Sequence, residues 1–284
     1  MSLRDSVAVV TGATSGIGLD AAHRLAALGG TLVLVCRDEQ RGVPARDAVR
    51  AASSNPDVHL VTADFASLTQ VREAGERIAR EWPRLDALVN NAGLASLRRT
   101  LTEDGFELTL QVDHLSHFLL TNLLLEPLRA GRARVVTVAS GAHRHGKLRR
   151  MGLEEILRGL GAYRGLQAYS DAKLANVLFT LELARRERGR GITANALHPG
   201  TLSTGIWDRN PGWPYWAAKL LKPFMEKPAV GGRAAAWLAS DPALEGVTGT
   251  YFRQRTPAAA HANAHDEALA RELWDVSARA VGIG

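Results

Sequence analysis

Tyr169 and Lys173 stand four positions apart in the stretch AYSDAKLAN, residues 168–176. On a helix, residues at i and i+4 share one face, a single turn apart, so this spacing sets a phenol beside an ammonium group. A free tyrosine titrates near ~10, too high for efficient proton exchange at neutral pH. A cation within about 4–6 Å stabilises the phenolate and lowers that value. The pair therefore offers an acid and a base in one group: the phenol can give a proton to a carbonyl oxygen, or the phenolate can take one from an alcohol. The competing reading is an exposed helical pair without chemistry. It is the better one unless other groups converge on the same place.

A second stretch, VTGATSGIGLD, supplies such groups. Gly12, Gly16 and Gly18 have the spacing Gly-x-x-x-Gly-x-Gly, with Thr14, Ser15 and Ile17 between them. Glycines let the backbone turn tightly and come close to a pyrophosphate, and the start of the following helix presents unpaired N–H groups and a positive dipole end. A glycine pattern alone is a weak signal. Here it lies between an apolar strand-like run and a helical period, which is the context the motif requires.

These residues need a scaffold, and the hydrophobic pattern describes one. Short apolar runs at 7–11, 31–36, 58–63, 86–92, 133–140 and 191–197 read as buried strands, with 249–252 a candidate seventh. Segments of helical period lie between them, at 17–29, 38–53, 67–82, 103–129, 167–189 and 228–240. Near-continuous apolar strands separated by helices predict a parallel sheet covered on both faces. Right-handed crossovers then give an α/β, Rossmann-type, doubly wound sheet of about seven strands. No repeat or low-complexity linker divides the 284 residues, so the expectation is a single domain over 1–284. Two segments break the alternation: a Gly- and Arg-rich insertion at 141–166, and a Pro-, Gly- and Trp-rich stretch at 201–227. Long irregular segments in a compact domain are usually functional or mobile.

Composition excludes several classes. Hydrophobic residues make up 46% of the chain, ample for a large core, and Cys36 is the single cysteine, so no intramolecular disulfide forms. The N-terminus lacks the pattern of a signal peptide, and no apolar stretch reaches the ~18–20 residues a membrane span needs. These features point to a soluble, cytoplasmic protein. The net charge of +6 is mostly arginine spread along the chain. The densest cluster, HRHGKLRR (143–150), reads as a solvated loop, and no nucleic-acid-binding motif accompanies it. Of the nine histidines, His143 with His145 and His114 with His117 have suggestive spacing. No cysteine or carboxylate set completes a metal site, so surface or core histidine is the simpler reading. His143, three residues after Ser140, is a candidate pocket residue.

The glycine motif resembles that of the short-chain dehydrogenase/reductase family, and the resemblance runs along nearly the whole chain. NNAG (Asn90–Gly93) follows the fourth strand, Ser140 ends the fifth, Tyr169 and Lys173 match Tyr-x-x-x-Lys, and HPG (198–200) follows the sixth. Within the family, CRDEQRG, DFASL, the long insertion and the ending LARELWDVSARAVG resemble the retinol-dehydrogenase-like branch. The resemblance implies hydride transfer between a nicotinamide dinucleotide and a carbonyl compound or its alcohol. It implies that Ser140 hydrogen-bonds the substrate oxygen, that Lys173 also holds the nicotinamide ribose, and that Asp64 contacts the adenine. Phe65, Asn91, Ala92, Gly93, Pro199 and Gly200 would lie along the cofactor, and Thr201 and Thr204 would hold the carboxamide. On the residues alone, Asp64 could cap a helix, and Asn91 and the two threonines could serve turns. The family pairs through its long helices in many members, which leaves a homo-oligomer open.

The strand that usually ends in an acid for the NAD ribose ends here in Cys36 and Arg37. Arginine's forked donors suit a 2′-phosphate, and Arg41 could reach the same region. Asp38 reads as the N-cap of the next helix. NADP(H) is therefore the expected cofactor, with no metal. The family's asparagine in the long helix after NNAG is replaced by Asp113. Its carboxylate could pair with Lys173 through water or take up a proton itself, or it could leave a proton relay mispositioned. Trp207, Trp213 and Trp216 fall within 201–227, with Tyr215, Leu220, Leu221, Phe224 and Met225. A lid over an apolar or aromatic, retinoid-like carbonyl substrate is the favoured reading. A membrane or oligomer contact through the interleaved Lys219, Lys222 and Lys227, or simple core packing, competes with it. A non-enzymatic NADP(H)-binding redox sensor or scaffold is the alternative function.

Overall fold

Valine, leucine and alanine runs pair here as a parallel sheet because both of their faces are covered. The computed structural model describes residues 5–200 and 228–283. Its strands are β1 (Val7–Thr11), β2 (Thr31–Cys36), β3 (Val58–Thr62), β4 (Ala87–Asn90), β5 (Arg134–Val138), β6 (Thr193–His198), β7 (Tyr251–Arg253) and β8 (Thr256–Pro257). The order across the sheet is β3-β2-β1-β4-β5-β6-β7-β8. The first seven strands in that order are parallel, and β8 returns antiparallel to β7. This eighth strand adds to the expected seven. It follows a tight turn at Gln254, whose φ of 56° lies in the left-handed region, and its Pro257 suits an edge strand, where a missing N–H costs nothing.

Successive strand residues face opposite ways, so each of β1 to β7 feeds two cores. Val9, Val33, Val61 and Val135 join one, and Val10, Leu34, Val89 and Val136 join the other. The second core is closed by α1 (Gly16–Ala26) and α2 (Glu39–Ser53), with α8 (Pro228–Ser240) beside α1. The first is closed by α3 (Leu68–Glu81), a long broken helix α4 (residues 108–123), and α7 (Gly165–Arg186). The helix α9 (Glu267–Ala280) packs on α7. The period of Leu269, Leu273 and Val276 signals α9, although it is absent from the expected helices. Two short helices complete the described set: α5 (Leu125–Ala130), after α4, and α6 (Leu153–Leu157), inside the insertion.

The expected helix at 103–129 is corrected in three places. Residues 103–107 form a turn, with Gly105 at φ 81° and a bridge between Leu101 and Glu107. The helix α4 starts as Leu108–Leu110, widens into a π-helical turn at Gln111–Leu115, and continues as Ser116–Leu123. It then breaks at Leu124 before α5. A π turn inside an α-helix is rare and frequent at functional sites, and this one carries Asp113. The chain reverses direction across the sheet between β1 and β4, which opens a crevice at their C-terminal ends. No helix among the described residues is long and apolar enough to cross a membrane.

Candidate active site

Gly12 leaves β1 with φ 66°, and Gly16 follows at 61°. A side chain at either position would strain the backbone. At Gly18 the limit is space: a Cβ there would stand 2.4 Å from both the Gly12 carbonyl oxygen and Asn91 Nδ2. We expect Gly18→Ala to destabilise the protein by about 1–3 kcal/mol, the usual cost of overpacking. Denaturant unfolding would register this as a lower midpoint, and an unchanged midpoint would refute the packing argument. Ser15 opens α1 without a side-chain cap bond, so the first amides of the helix face the crevice.

Thr11, absent from the expected site residues, ties this loop to the next. Its hydroxyl accepts hydrogen bonds from the Asn91 and Ala92 amides at 2.9 and 3.0 Å. Asn91 Nδ2 donates back to the Thr11 and Gly12 carbonyls. The turn-stabilising reading of Asn91 therefore holds, and the same residue lines the crevice.

The crevice is a cleft of about 1740 Å³ among the described residues, above the ~300–1,000 Å³ of a typical small-ligand pocket. The expected residues Gly12, Thr14, Ser15, Gly16 and Ile17 line it, as do Asp64, Phe65, Asn91, Ala92 and Gly93. So do Ser140, Tyr169, Lys173, Pro199 and Gly200. Asp64 caps no helix; its carboxylate accepts the Ala66 amide at 3.0 Å in a local turn. Thr201, Thr204 and the segment 201–227 lie outside the described residues.

Arg37 and Arg41 line the cleft beyond the end of β2. Asp38 is the N-cap of α2: its Oδ1 accepts the Arg41 amide at 2.9 Å, and Arg37 Nε donates to Oδ2 at 3.4 Å. The Arg41 amide, aided by the Arg37 side chain, holds the Asp38 carboxyl below its usual range. Cys36 is buried, and burial pushes its thiol up to about 11, which makes it an inert packing residue.

On the other side of the cleft, α7 carries Tyr169 and Lys173 on one face, as the i, i+4 spacing requires. Lys173 Nζ stands 5.5 Å from the centre of the phenol ring, and Ser140 lines the same cleft and favours the phenolate. Ser140 ends β5 in extended conformation, and its Oγ accepts the Ala142 amide at 3.2 Å. Asp113 is closer than expected: its Oδ2 lies 2.7 Å from Lys173 Nζ with no water between them, and both side chains are buried. Burial pushes the Tyr169 phenol above its ordinary value; Lys173 pulls it down, and Asp113 opposes Lys173. The expectation of a simple cation-lowered phenol is thereby corrected. Burial is the largest influence on Lys173 and would lower it, but the Asp113 charge, the Tyr169 phenol and the contact with Asp113 together hold the ammonium above its ordinary value.

Three other expectations change. His143 does not line the cleft. It is buried beneath Ser140, donating from Nδ1 to the Ser140 carbonyl at 2.8 Å and accepting the His261 amide at Nε2 at 3.1 Å. The cluster at 143–150 is not simply solvated, since Arg149 pairs with Asp266 at 2.7 Å and Arg150 with the buried Asp171. Asp171 also accepts the Lys147 amide at 2.6 Å, which pins the insertion to α7 two residues from Tyr169. His114 and His117 are core histidines; burial drops them to about 4 and about 3. Pairings such as Asp171 with Arg150 leave no periodic signal and emerge only from the folded chain.

Comparison with known proteins places this geometry. The family described as short chain dehydrogenase matches residues 6–151. Retinol dehydrogenase 13 of Mus musculus is 39% identical, over 97% of this chain and 83% of its own length. A crystal structure of an uncharacterized protein from Mycobacterium Paratuberculosis has a TM-score of 0.78 at 31% identity, covering 99% of this chain and 95% of that one. A blue fluorescent protein from a metagenomic library, solved with NADPH, has a TM-score of 0.69 at 26% identity, covering 89% of this chain and 97% of its own.

Proposed function

Because this chain belongs to the short chain dehydrogenase family, and is thus an oxidoreductase of alcohol and carbonyl groups using a nicotinamide dinucleotide, we propose that it interconverts an apolar carbonyl compound and its alcohol with NADP(H). The observation that carries the proposal is the convergence of Ser140, Tyr169 and Lys173 on the cleft that also holds the glycine cradle. The cradle fits a dinucleotide: Gly12 and Gly16 line the cleft without side chains, a Cβ at Gly16 would meet no protein atom within 4 Å, and the uncapped start of α1 suits a pyrophosphate. When bound, the nicotinamide supplies a hydride to the carbonyl carbon or accepts one from the alcohol carbon. Tyr169 gives its hydroxyl proton to the carbonyl oxygen and regains one from solvent; in reverse, its phenolate takes the alcohol proton. Reduction thus consumes one carbonyl compound, one NADPH and one proton, and yields alcohol and NADP+. Ser140 donates a hydrogen bond to the substrate oxygen and stabilises the charge that develops there. Lys173 would hold the nicotinamide ribose, Asp64 would contact the adenine, and Asn91 would lie along the bound dinucleotide.

Arg37 and Arg41 support the choice of NADP(H), because Asp38 spends its carboxylate on the cap of α2 and on Arg37. A charge-assisted hydrogen bond is worth about 1.5–3 kcal/mol, or roughly 10–100-fold in affinity. We expect Arg37→Ala to weaken NADPH binding by about that factor in a fluorescence titration and to leave NADH nearly unchanged. Equal losses for both would argue against a phosphate contact. Leu94, Leu97, Leu108, Val112 and Leu166 line the cleft, and Leu166 is 52% exposed. This apolar wall supports a greasy substrate.

The test is NADPH consumption, followed by its near-ultraviolet absorbance, across a panel of apolar aldehydes and ketones. Turnover supports the enzyme. Saturable NADPH binding without turnover on any of them supports a redox sensor instead, a reading that the direct pairing of Lys173 with Asp113 keeps in play.

A further inference from the structure

The Asp113 carboxylate is built into its place from three sides. Oδ2 pairs with Lys173 Nζ at 2.7 Å and has no other partner among the described residues. Oδ1 accepts the Leu94 amide at 2.8 Å. Gly93 gives the carboxylate its room: a Cβ there would stand 3.1 and 3.3 Å from the two oxygens. The main chain of Asp113 is committed as well. Its carbonyl faces His117 Nδ1 at 3.0 Å, and His117 Nε2 faces the Thr11 hydroxyl at 3.0 Å. A carbonyl only accepts, so Nδ1 carries the hydrogen, and neutral Nε2 accepts from Thr11. The π turn at Gln111–Leu115 is thus locked to the end of β1, with the carboxylate aimed at Lys173.

The electrostatic consequence concerns Tyr169. A lone ammonium 5.5 Å from the phenol ring would favour phenolate. An ammonium paired at 2.7 Å with a buried carboxylate presents a dipole instead, and part of that preference is cancelled. Lys173 from α7, Asp113 from α4 and Ser140 from the end of β5 bear on the phenol, and His145 and His198 line the same cleft. Asp171 on α7 is already paired with Arg150. Asp113 is the one negative charge bearing on Tyr169 among the described residues.

We propose that Asp113, by pairing with Lys173, keeps Tyr169 in its proton-donating form through neutral pH, so that this chain works as a carbonyl reductase and oxidises alcohols efficiently only under alkaline conditions. Asp113 is a positioning residue here: it acts on the reacting proton through Lys173. The inference rests on the enzymatic reading above, and its test separates the two.

The variant is Asp113→Asn, which keeps an acceptor for the Leu94 amide and removes the charge. With the carboxylate gone, Lys173 acts on the phenol unopposed, so the phenol must titrate lower. In the cofactor-free protein labelled with [13Cζ]tyrosine, the Tyr169 signal, assigned by its loss in Tyr169→Phe, should titrate above an ordinary tyrosine in the parent. It should fall by about one pH unit or more in Asp113→Asn. In the loaded enzyme, the alkaline decline of carbonyl reduction should move to lower pH by the same amount, and alcohol oxidation at neutral pH should rise about tenfold. Asp113→Ser, which also lacks the charge, gives the same shift if the Asn variant folds poorly. A parent Tyr169 that titrates below an ordinary tyrosine, or an unchanged titration in both variants, overturns the inference. Titration as expected, with no carbonyl compound turned over, sinks the enzymatic reading and leaves the electrostatic one standing.

Discussion

Tyr169→Phe is expected to lower kcat/KM for carbonyl reduction by about 10²–10⁴-fold, the usual range for losing a positioned general acid. The substitution deletes one oxygen and keeps the ring that packs beside Lys173. Dinucleotide affinity, measured by fluorescence titration, should therefore stay close to that of the parent. The loss should fall on kcat, because the proton moves only in the transition state. A variant with unchanged turnover would remove Tyr169 from the mechanism. One with lost turnover and equally lost NADPH binding would show that the phenol matters for the pocket rather than for the proton.

Ser140→Ala carries the second large expectation, a fall in kcat of about 10²–10³-fold, as for other donors aimed at a developing oxyanion. Two effects must be separated. The hydroxyl also accepts the Ala142 amide and so begins the turn Gly141–His145. Ser140→Thr restores a hydroxyl to both roles and should recover much of the activity. His143 holds the Ser140 carbonyl from below, so the backbone of the turn survives either change. If Ser140→Ala retains full turnover, the substrate oxygen is stabilised by some other group, and the proposed role of Ser140 fails.

The sequence was most legible where a chemical need and a local geometry coincide. Gly12 and Gly16 must adopt backbone angles that other residues resist, and their spacing announces this. Tyr169 and Lys173 meet because a helix brings i and i+4 together, and no tertiary information is required. Near-continuous apolar runs at β1, β2, β4 and β5, which the fold buries almost throughout, made the two-faced sheet readable as well. The rest depended on contacts between distant segments. Asp113 and Lys173 are neighbours only because a π turn, invisible to a 3.6-residue period, tilts one carboxylate across the cleft. His143 was drawn toward the pocket by its closeness to Ser140 in sequence; the C-terminal segment at His261 and Tyr251 captures its ring instead. Asp171 gave no sign of its role, because its partners come from an irregular insertion.

The most direct measurement is a crystal structure of the protein with NADP+ bound. The account predicts the pyrophosphate over the loop Gly12–Gly18, the 2′-phosphate against Arg37, and the nicotinamide ring within reach of the Tyr169 hydroxyl, with Lys173 on the adjoining ribose and still beside Asp113. A ring bound elsewhere, or a Tyr169 hydroxyl turned away from it, would contradict the claim that this phenol trades protons with a substrate held at the dinucleotide.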